Sequence, residues 1–428
     1  MRRIKIMIGV LCLIALLNSY LFINNFAFAQ AQKEVTLRLI AWGNPTEVKA
    51  REATLKRFEE LHPNIKVKFI HTPTNYLDKL QTMLAAGDAP DVIYIGNGDY
   101  RWFADAGQLM PLDSFIKRDK LNLSDVFPMA LKIWNYNGKQ YGFPADFPNQ
   151  ELFYNVTMFK SAGLPLPSSD WNDSSWTWKR FLEYAQKLTK KDPTGRVVQW
   201  GYRVDNSFRG WWVWVSTNGG ELFSKDGKRT LIAEPASVGA FQFLQDLIYK
   251  YKVAPTMELA NTMGGYDMFL GGNLGMTTYW PAIGYMRENI KTFEWDVMPH
   301  PFKVRKACAG GGSGHVISSQ TKHPEEAWTL VKWLISEECV KIWTEIMGIV
   351  PPLKSVAYSS AFLKPDLPPK HIMVFVEGAK YLRPDPPHPK FKEVSQLISQ
   401  DLDYILLNKA PAKEVLKELA KKIDKILQ

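Results

Sequence analysis

The chain has 428 residues, 46% hydrophobic, 22% charged and 13% aromatic, which excludes disorder and collagen-like structure and supports two or three domains, each with its own core. The formal charge is +10; Arg2, Arg3 and Lys5 stand among residues 1–29 with no acid, so a chain lacking that segment carries +10 − 3 = +7. No Lys/Arg run exceeds two residues, which fits a solvated surface and not the concentrated basic stripe of a nucleic-acid binder.

Residues 1–29 read as a cleaved secretory signal: three cations, an apolar run over 6–17, and the small residues of Ala27-Phe28-Ala29 at a peptidase site. Residues 21–23 extend the apolar run towards an uncleaved anchor, but Asn18, Asn24 and Asn25 interrupt it. Cys12 follows Leu11 and not a small residue, against lipid attachment there. In an oxidising compartment the remaining Cys308 and Cys339 are expected as two packed thiols, with one disulfide as the alternative. No later window holds 18 unbroken apolar residues, so no membrane span is expected.

The hydrophobic period then alternates. A strand is predicted at Val35–Ala41, a helix at 47–61, a strand at 65–70, a helix at 75–86 and a buried strand at 92–95. Strands separated by helices predict an α/β fold with a mostly parallel sheet, and ligands in such sheets bind in the loops after the strand carboxyl ends. The loops at 42–46 and 96–102 are therefore candidate binding loops. Thr177 is placed to cap a helix reaching about Lys190, Ser237 one over 238–251, and Pro324 to open one running through Trp333 to Trp343. Ala412–Leu427 reads as an amphipathic helix whose Lys413, Lys417, Lys421 and Lys425 form a solvated face.

Catalytic patterns are missing from the sequence. It has no His-Glu-x-x-His, no Cys-x-x-Cys and no Gly-rich loop ending in Lys-Ser/Thr, so neither a metal nor a cofactor is expected. In 310–315, Gly-Gly-Gly-Ser-Gly-His, His315 stands where a nucleophile elbow needs glycine, so Ser313 reads as part of a Gly-rich strand entry where backbone can approach a ligand. Asp99, Asp146 and Glu151 lie on candidate loops, but no spacing pairs them as glycosidase carboxylates. The seven histidines are scattered and expected at surface or packed positions.

Aromatic residues in loops are the positive signal. There are 15 Trp and 17 Tyr, several beside Gly, Asn, Asp or Pro: Trp42-Gly43-Asn44-Pro45, Tyr100-Arg101-Trp102, Trp211-Trp212-Val213-Trp214 and Tyr279-Trp280-Pro281. An aromatic face takes the C–H face of a pyranose while neighbouring polar groups take its hydroxyls, so the pattern points to carbohydrate. Trp134, Trp171, Trp176, Trp328, Trp333 and Trp343 are expected in the core, whereas Trp42, Trp102 and one or two of the Trp211–Trp214 cluster are candidates for a cleft.

From about Val35 onward the chain resembles the extracellular solute-binding proteins of ABC sugar importers, the group that includes the maltose- and trehalose/maltose-binding proteins. The resemblance is carried in order by Phe58-Glu59-Glu60-Leu61-His62-Pro63-Asn64, Leu84-Ala85-Ala86-Gly87-Asp88-Ala89-Pro90-Asp91-Val92, Tyr141-Gly142-Phe143-Pro144 with Phe153-Tyr154-Asn155, Trp176-Thr177-Trp178, Phe269-Leu270-Gly271-Gly272-Asn273, the segment 310–318, and His323-Pro324-Glu325-Glu326-Ala327-Trp328. It implies that Glu47 accepts sugar hydroxyls, Trp280 is the sugar platform, Arg383 donates to hydroxyls, and Asn97 or Asp99 binds ligand. Trp42, Asn44, Trp102, Trp212, Gly312 and Ser313 complete the candidate set. Pro148 stands where the group has an Asp, leaving Asp146, Asn149 or Gln150 as substitutes, and Gly314 stands where it has a Trp, a loss expected to open the pocket.

The resemblance also implies a two-lobed fold with three hinge crossovers, near Gly142, Asp296 and Val350. The lobes are expected as 30–142 with 297–350, and 143–296 with 351–428. The implied function is capture of a di- or oligosaccharide by hinge closure and delivery to membrane permease subunits, by a monomer outside the cytoplasmic membrane, periplasmic or extracellular, that is not an enzyme. A secreted glycoside hydrolase and a receptor of the same fold for a peptide, polyamine or glycerol phosphate are the alternatives.

Overall fold

The structure, a computed structural model, describes residues 34–281 and 283–428. The expected leader at 1–29, with Cys12, lies outside them. The fold is α/β, with two five-stranded sheets flanked by helices and a third, three-stranded sheet.

The first sheet runs in the order Ile65–His71, Val35–Ala41, Val92–Gly96, Ser313–Ile317 and Gly142–Pro144. Its first two strands are parallel, with Val35 opposite Ile65 and Ala41 opposite His71, and Leu39 lies opposite Val92. Leu37, Leu39 and Ile40, and every residue from Val92 to Ile95, are buried, because helices cover both faces and the central strands must be apolar on each. Ser313–Ile317 enters antiparallel between Val92–Gly96 and Gly142–Pro144.

The second sheet has the order Trp295–Met298, Leu152–Asn155, Leu274–Thr278, Val197–Arg203 and Lys190–Lys191. It is mixed: only Val197–Arg203 against Leu274–Thr278 is a parallel pairing. Along Leu152–Asn155 the strand period separates two cores, with Phe153 packing in one apolar cluster and Leu152 and Tyr154 in the other. The third sheet joins three distant segments, Leu382–Pro384, Cys308–Gly310 and Asn149–Gln150. Gly142–Pro144 belongs to the first sheet and Trp295–Met298 to the second.

The helices over Pro45–Leu61, Tyr76–Ala85 and Ala412–Leu427 lie where the periodicity predicts, and Thr177 caps Trp178–Leu188 by accepting from the Arg180 N–H. Two expectations are corrected. Ser237 is inside the helix Pro235–Tyr249, its hydroxyl donating to Leu231 O; Pro235, which needs no amide partner, starts that helix instead. The run opened by Pro324 is two helices, Pro324–Leu334 and Glu337–Met347, because Ser336 accepts from the Cys339 N–H and restarts the chain. Cys308 and Cys339 are buried free thiols, without a disulfide. Trp134, Trp171, Trp176, Trp328, Trp333 and Trp343 are all buried.

Gly314 departs furthest from expectation. A Cβ built there would run into Phe143 O and the Trp134 ring. The absent side chain therefore makes room for Trp134 and two close strands, and opens no pocket.

Candidate functional site

The strand Val35–Ala41 delivers the chain to Asn44, which caps Pro45–Leu61: its Oδ1 accepts from Thr46 N (2.9 Å) and Glu47 N (3.1 Å), while Glu47 Oε2 accepts from Asn44 N (2.7 Å). This capping box fixes the Glu47 carboxylate at a helix N-terminus, where the macrodipole favours negative charge. Glu47 lines a cavity of about 600 Å³ together with Trp280, Tyr285, Glu288, Ile346 and Ile349, and Trp280 and Ile346 pack on the apolar cluster of Ala50, Trp343 and Ile349.

Trp280 also lines a second cavity, of about 340 Å³, with Asp99 from the first half of the molecule, Gln150 from the three-stranded sheet, and Arg209, Asp385 and Lys392. Arg209 is its fulcrum. Its Nε donates to Asp385 Oδ1 (3.0 Å), its Nη2 to Asp385 Oδ2 (2.7 Å) and to Asn97 Oδ1 (3.0 Å), and its guanidinium lies 5.2 Å from the Trp280 ring centroid. One cation therefore ties the loop after Val92–Gly96 to the strand end at Asp385 and braces the Trp280 ring. Burial pushes the Asp99 carboxyl up to about 6, with Lys392 pulling it back.

Beneath the cavities, Asp146 is buried, accepting from Ser313 N (2.8 Å) and the Tyr94 hydroxyl (3.3 Å). Burial raises its carboxyl to about 7; the Ser313 N–H opposes that shift and the charge of Glu47 adds to it. Gly312, at φ +136°, allows the turn: its N–H reaches Asn97 Oδ1 (3.1 Å), and a Cβ there would meet Asp146 O at 2.5 Å.

Residues 42–339 match the family of bacterial extracellular solute-binding proteins. The chain belongs to that family. An ABC substrate-binding protein from Listeria monocytogenes in complex with cycloalternan superposes with a TM-score of 0.82 at 26% identity, covering 92% of this chain and 99% of its own. A binding protein of Brucella abortus is 24% identical over 88% of this chain and 89% of its own. The arabinooligosaccharide-binding protein of Halalkalibacterium halodurans is 25% identical over 69% of this chain and 62% of its own. The solute-binding proteins of known structure that it resembles are two-lobed.

In this solute-binding protein the structure brings Asn44, Glu47 and Trp280 to one cavity and Asp99, Gln150 and Trp280 to the next. Trp102, 40% exposed, lies on a third cavity with Gln81. The other candidates have partners within the protein, with Trp42 and Arg383 still partly exposed. Trp42 packs on Tyr76 and Tyr94 at 4.8 and 4.6 Å. Asn97 is fully buried, and Asn149 donates to Phe375 O (3.0 Å). Trp212 is 2% exposed and donates to Arg383 O (3.3 Å); Trp211 and Trp214 are buried with it, so the cluster sends no ring to the cleft. Arg383 pairs with Glu221, which also holds Arg305.

Sequence reasoning missed Arg209, Asp385 and Lys392. A signal for Arg209 exists: it is a cation in the first turn of the apolar helix Phe208–Thr217, where the dipole disfavours it, and such a local conflict calls for a carboxylate from elsewhere. Among the described residues, no group of three or more His, Cys, Asp or Glu is placed to hold a metal, and no helix is long and apolar enough to cross a membrane.

Proposed function

We propose that this protein is the receptor of an ABC sugar importer, exported from the cytoplasm, that closes around a di- or oligosaccharide and presents it to membrane permease subunits. The observation that carries the reading is Trp280, a half-buried ring forming the shared wall of two cavities whose other walls supply carboxylates and an arginine. A pyranose stacked on such a ring has hydroxyl acceptors and donors on both sides. The names of the Listeria and Halalkalibacterium relatives, a cycloalternan complex and an arabinooligosaccharide-binding protein, support carbohydrate as the ligand class.

The lobes are the bodies around the two large sheets, close to 30–142 with 297–350 and 143–296 with 351–428. The three short strands at Asn149–Gln150, Cys308–Gly310 and Leu382–Pro384 act as the hinge, because each cavity takes its walls from both sides of them. Binding without turnover fits the carboxylates: Asp385 is held bidentate by Arg209 and Glu47 by its capping box, which suits hydroxyl acceptance better than the paired acid and nucleophile of a hydrolase.

The test is tryptophan fluorescence of residues 30–428 titrated with malto-, xylo-, manno-, cello- and arabino-oligosaccharides and trehalose, followed by chromatography of the sugars and small-angle scattering. A saturable change, intact sugar and a compacted particle are expected. Released reducing ends would establish the hydrolase, and silence across the panel a non-sugar solute.

A further inference from the structure

Three cavities follow one another along the seam between the two halves. The first, at Glu47, and the second, at Arg209, share Trp280. The second and a third, of about 210 Å³, share Lys392. Each is walled from both sides: the third by Gln81 and Trp102 from helices Tyr76–Ala85 and Tyr100–Asp105, and opposite them by Lys392, Glu393 and Gln396 at the start of helix Phe391–Leu406. The shared residues make the three neighbours, with Trp280 common to the first two and Trp102 on the third.

Trp102 is out of keeping with a purely structural ring. It is 40% exposed and touches Phe103 by one edge at 4.7 Å, whereas the tryptophans that build the cores are buried. An indole held at the mouth of a polar groove, with amides from Gln81 and Gln396 and charges from Lys392 and Glu393 around it, has the make-up of a sugar subsite: an apolar face with hydroxyl donors and acceptors at its rim.

We propose that the seam holds an oligosaccharide longer than a disaccharide, and that Trp102 is an outer platform on which the units beyond the Arg209 cavity stack. The inference rests on the carbohydrate reading above and adds to it the length of the ligand and the residue that measures it. A disaccharide lies over Trp280 between the first two cavities and does not reach Trp102. Each added unit then extends past Lys392 into the third cavity and covers exposed indole surface, so affinity rises with length until Trp102 is covered.

The experiment is calorimetric titration of the full mature chain with a ladder of two to six units of whichever series binds in the panel, for the wild-type protein, Trp102→Ala and Trp102→Phe. Wild-type affinity is expected to rise by about tenfold or more between the disaccharide and the longer members, the gain from burying part of one aromatic face. Trp102→Ala should bind the disaccharide as the wild type does and lose that rise, and Trp102→Phe should recover part of it. Equal affinity along the wild-type ladder, or a rise that survives in Trp102→Ala, overturns the inference while leaving the importer-receptor reading intact. Failure of every sugar in the panel overturns that reading and the inference together.

Discussion

Arg209 grips both carboxylate oxygens of Asp385, Nε to Oδ1 at 3.0 Å and Nη2 to Oδ2 at 2.7 Å, across 176 positions of chain. The side chains are only 18% and 7% exposed, so little solvent screens the pair and each charge depends on the other. Because the same guanidinium reaches Asn97 and lies over Trp280, the pair sets where the Trp280 ring stands relative to the loop that carries Asn97.

Removing one partner strands a buried charge. Arg209→Met or Asp385→Leu is expected to cost about 3–5 kcal/mol, and the double substitution clearly less than the sum. Urea denaturation of the three variants checks this, and additive losses would show that the two charges are independently solvated.

Two tryptophans that the sequence offers alike as cleft candidates should fail differently. Trp280→Ala is expected to weaken sugar binding by roughly 10- to 100-fold, the loss of about 1.5–3 kcal/mol of covered aromatic surface, with little change in stability. Trp212→Ala empties a core position and should cost about 3–5 kcal/mol of stability. Paired calorimetric and urea titrations separate them, and a stable Trp212→Ala protein that no longer binds would place Trp212 in the cleft.

The same contrast shows what the sequence made legible. The alternation from Val35 to Ile95 revealed the strands and helices because each is fixed by contacts of its own period, whereas Trp280 was singled out only by the resemblance to the sugar-importer binding proteins. The Asn44-to-Glu47 spacing encodes a capping box, while the role of Glu47 as a hydroxyl acceptor was implied by the resemblance alone. Arg209 and Asp385 stayed hidden because neither has meaning without the other. Trp212 misled because a helix made almost wholly of apolar residues is buried on every side, whereas only one face of it was expected to be.

Gly314 shows the same limit from the side of packing, since its lack of a side chain serves Trp134 and not a ligand. Gly314→Ala should therefore lower stability by about 1–3 kcal/mol or more, because the obstructing Phe143 carbonyl belongs to a paired strand and cannot swing aside. A lower urea midpoint at unchanged m is the expected result. An unchanged midpoint would mean that Trp134 repacks without cost and that the position could carry a cleft side chain.

Asp146 ties stability to pH. Its folded carboxyl titrates near 7, against an ordinary value of 3.8, so between those limits the folded protein holds a proton that the unfolded chain has released. The contribution of Asp146 to stability then falls as pH rises from about 4 to about 7 and levels off above, with Asp99, at about 6, acting in the same direction and the buried His300 and His315, whose charged forms burial disfavours, acting in the opposite one. Asp146→Asn cannot release that proton, and its oxygen still accepts from the Ser313 N–H. The variant should therefore gain on the wild type as pH rises through that window, by up to a few kcal/mol at pH 8. Urea midpoints of both proteins at pH 4, 5, 6, 7 and 8 measure the difference. A difference that stays constant with pH would show that Asp146 is ionised throughout in the folded protein, and that the Ser313 and Tyr94 hydrogen bonds outweigh its burial.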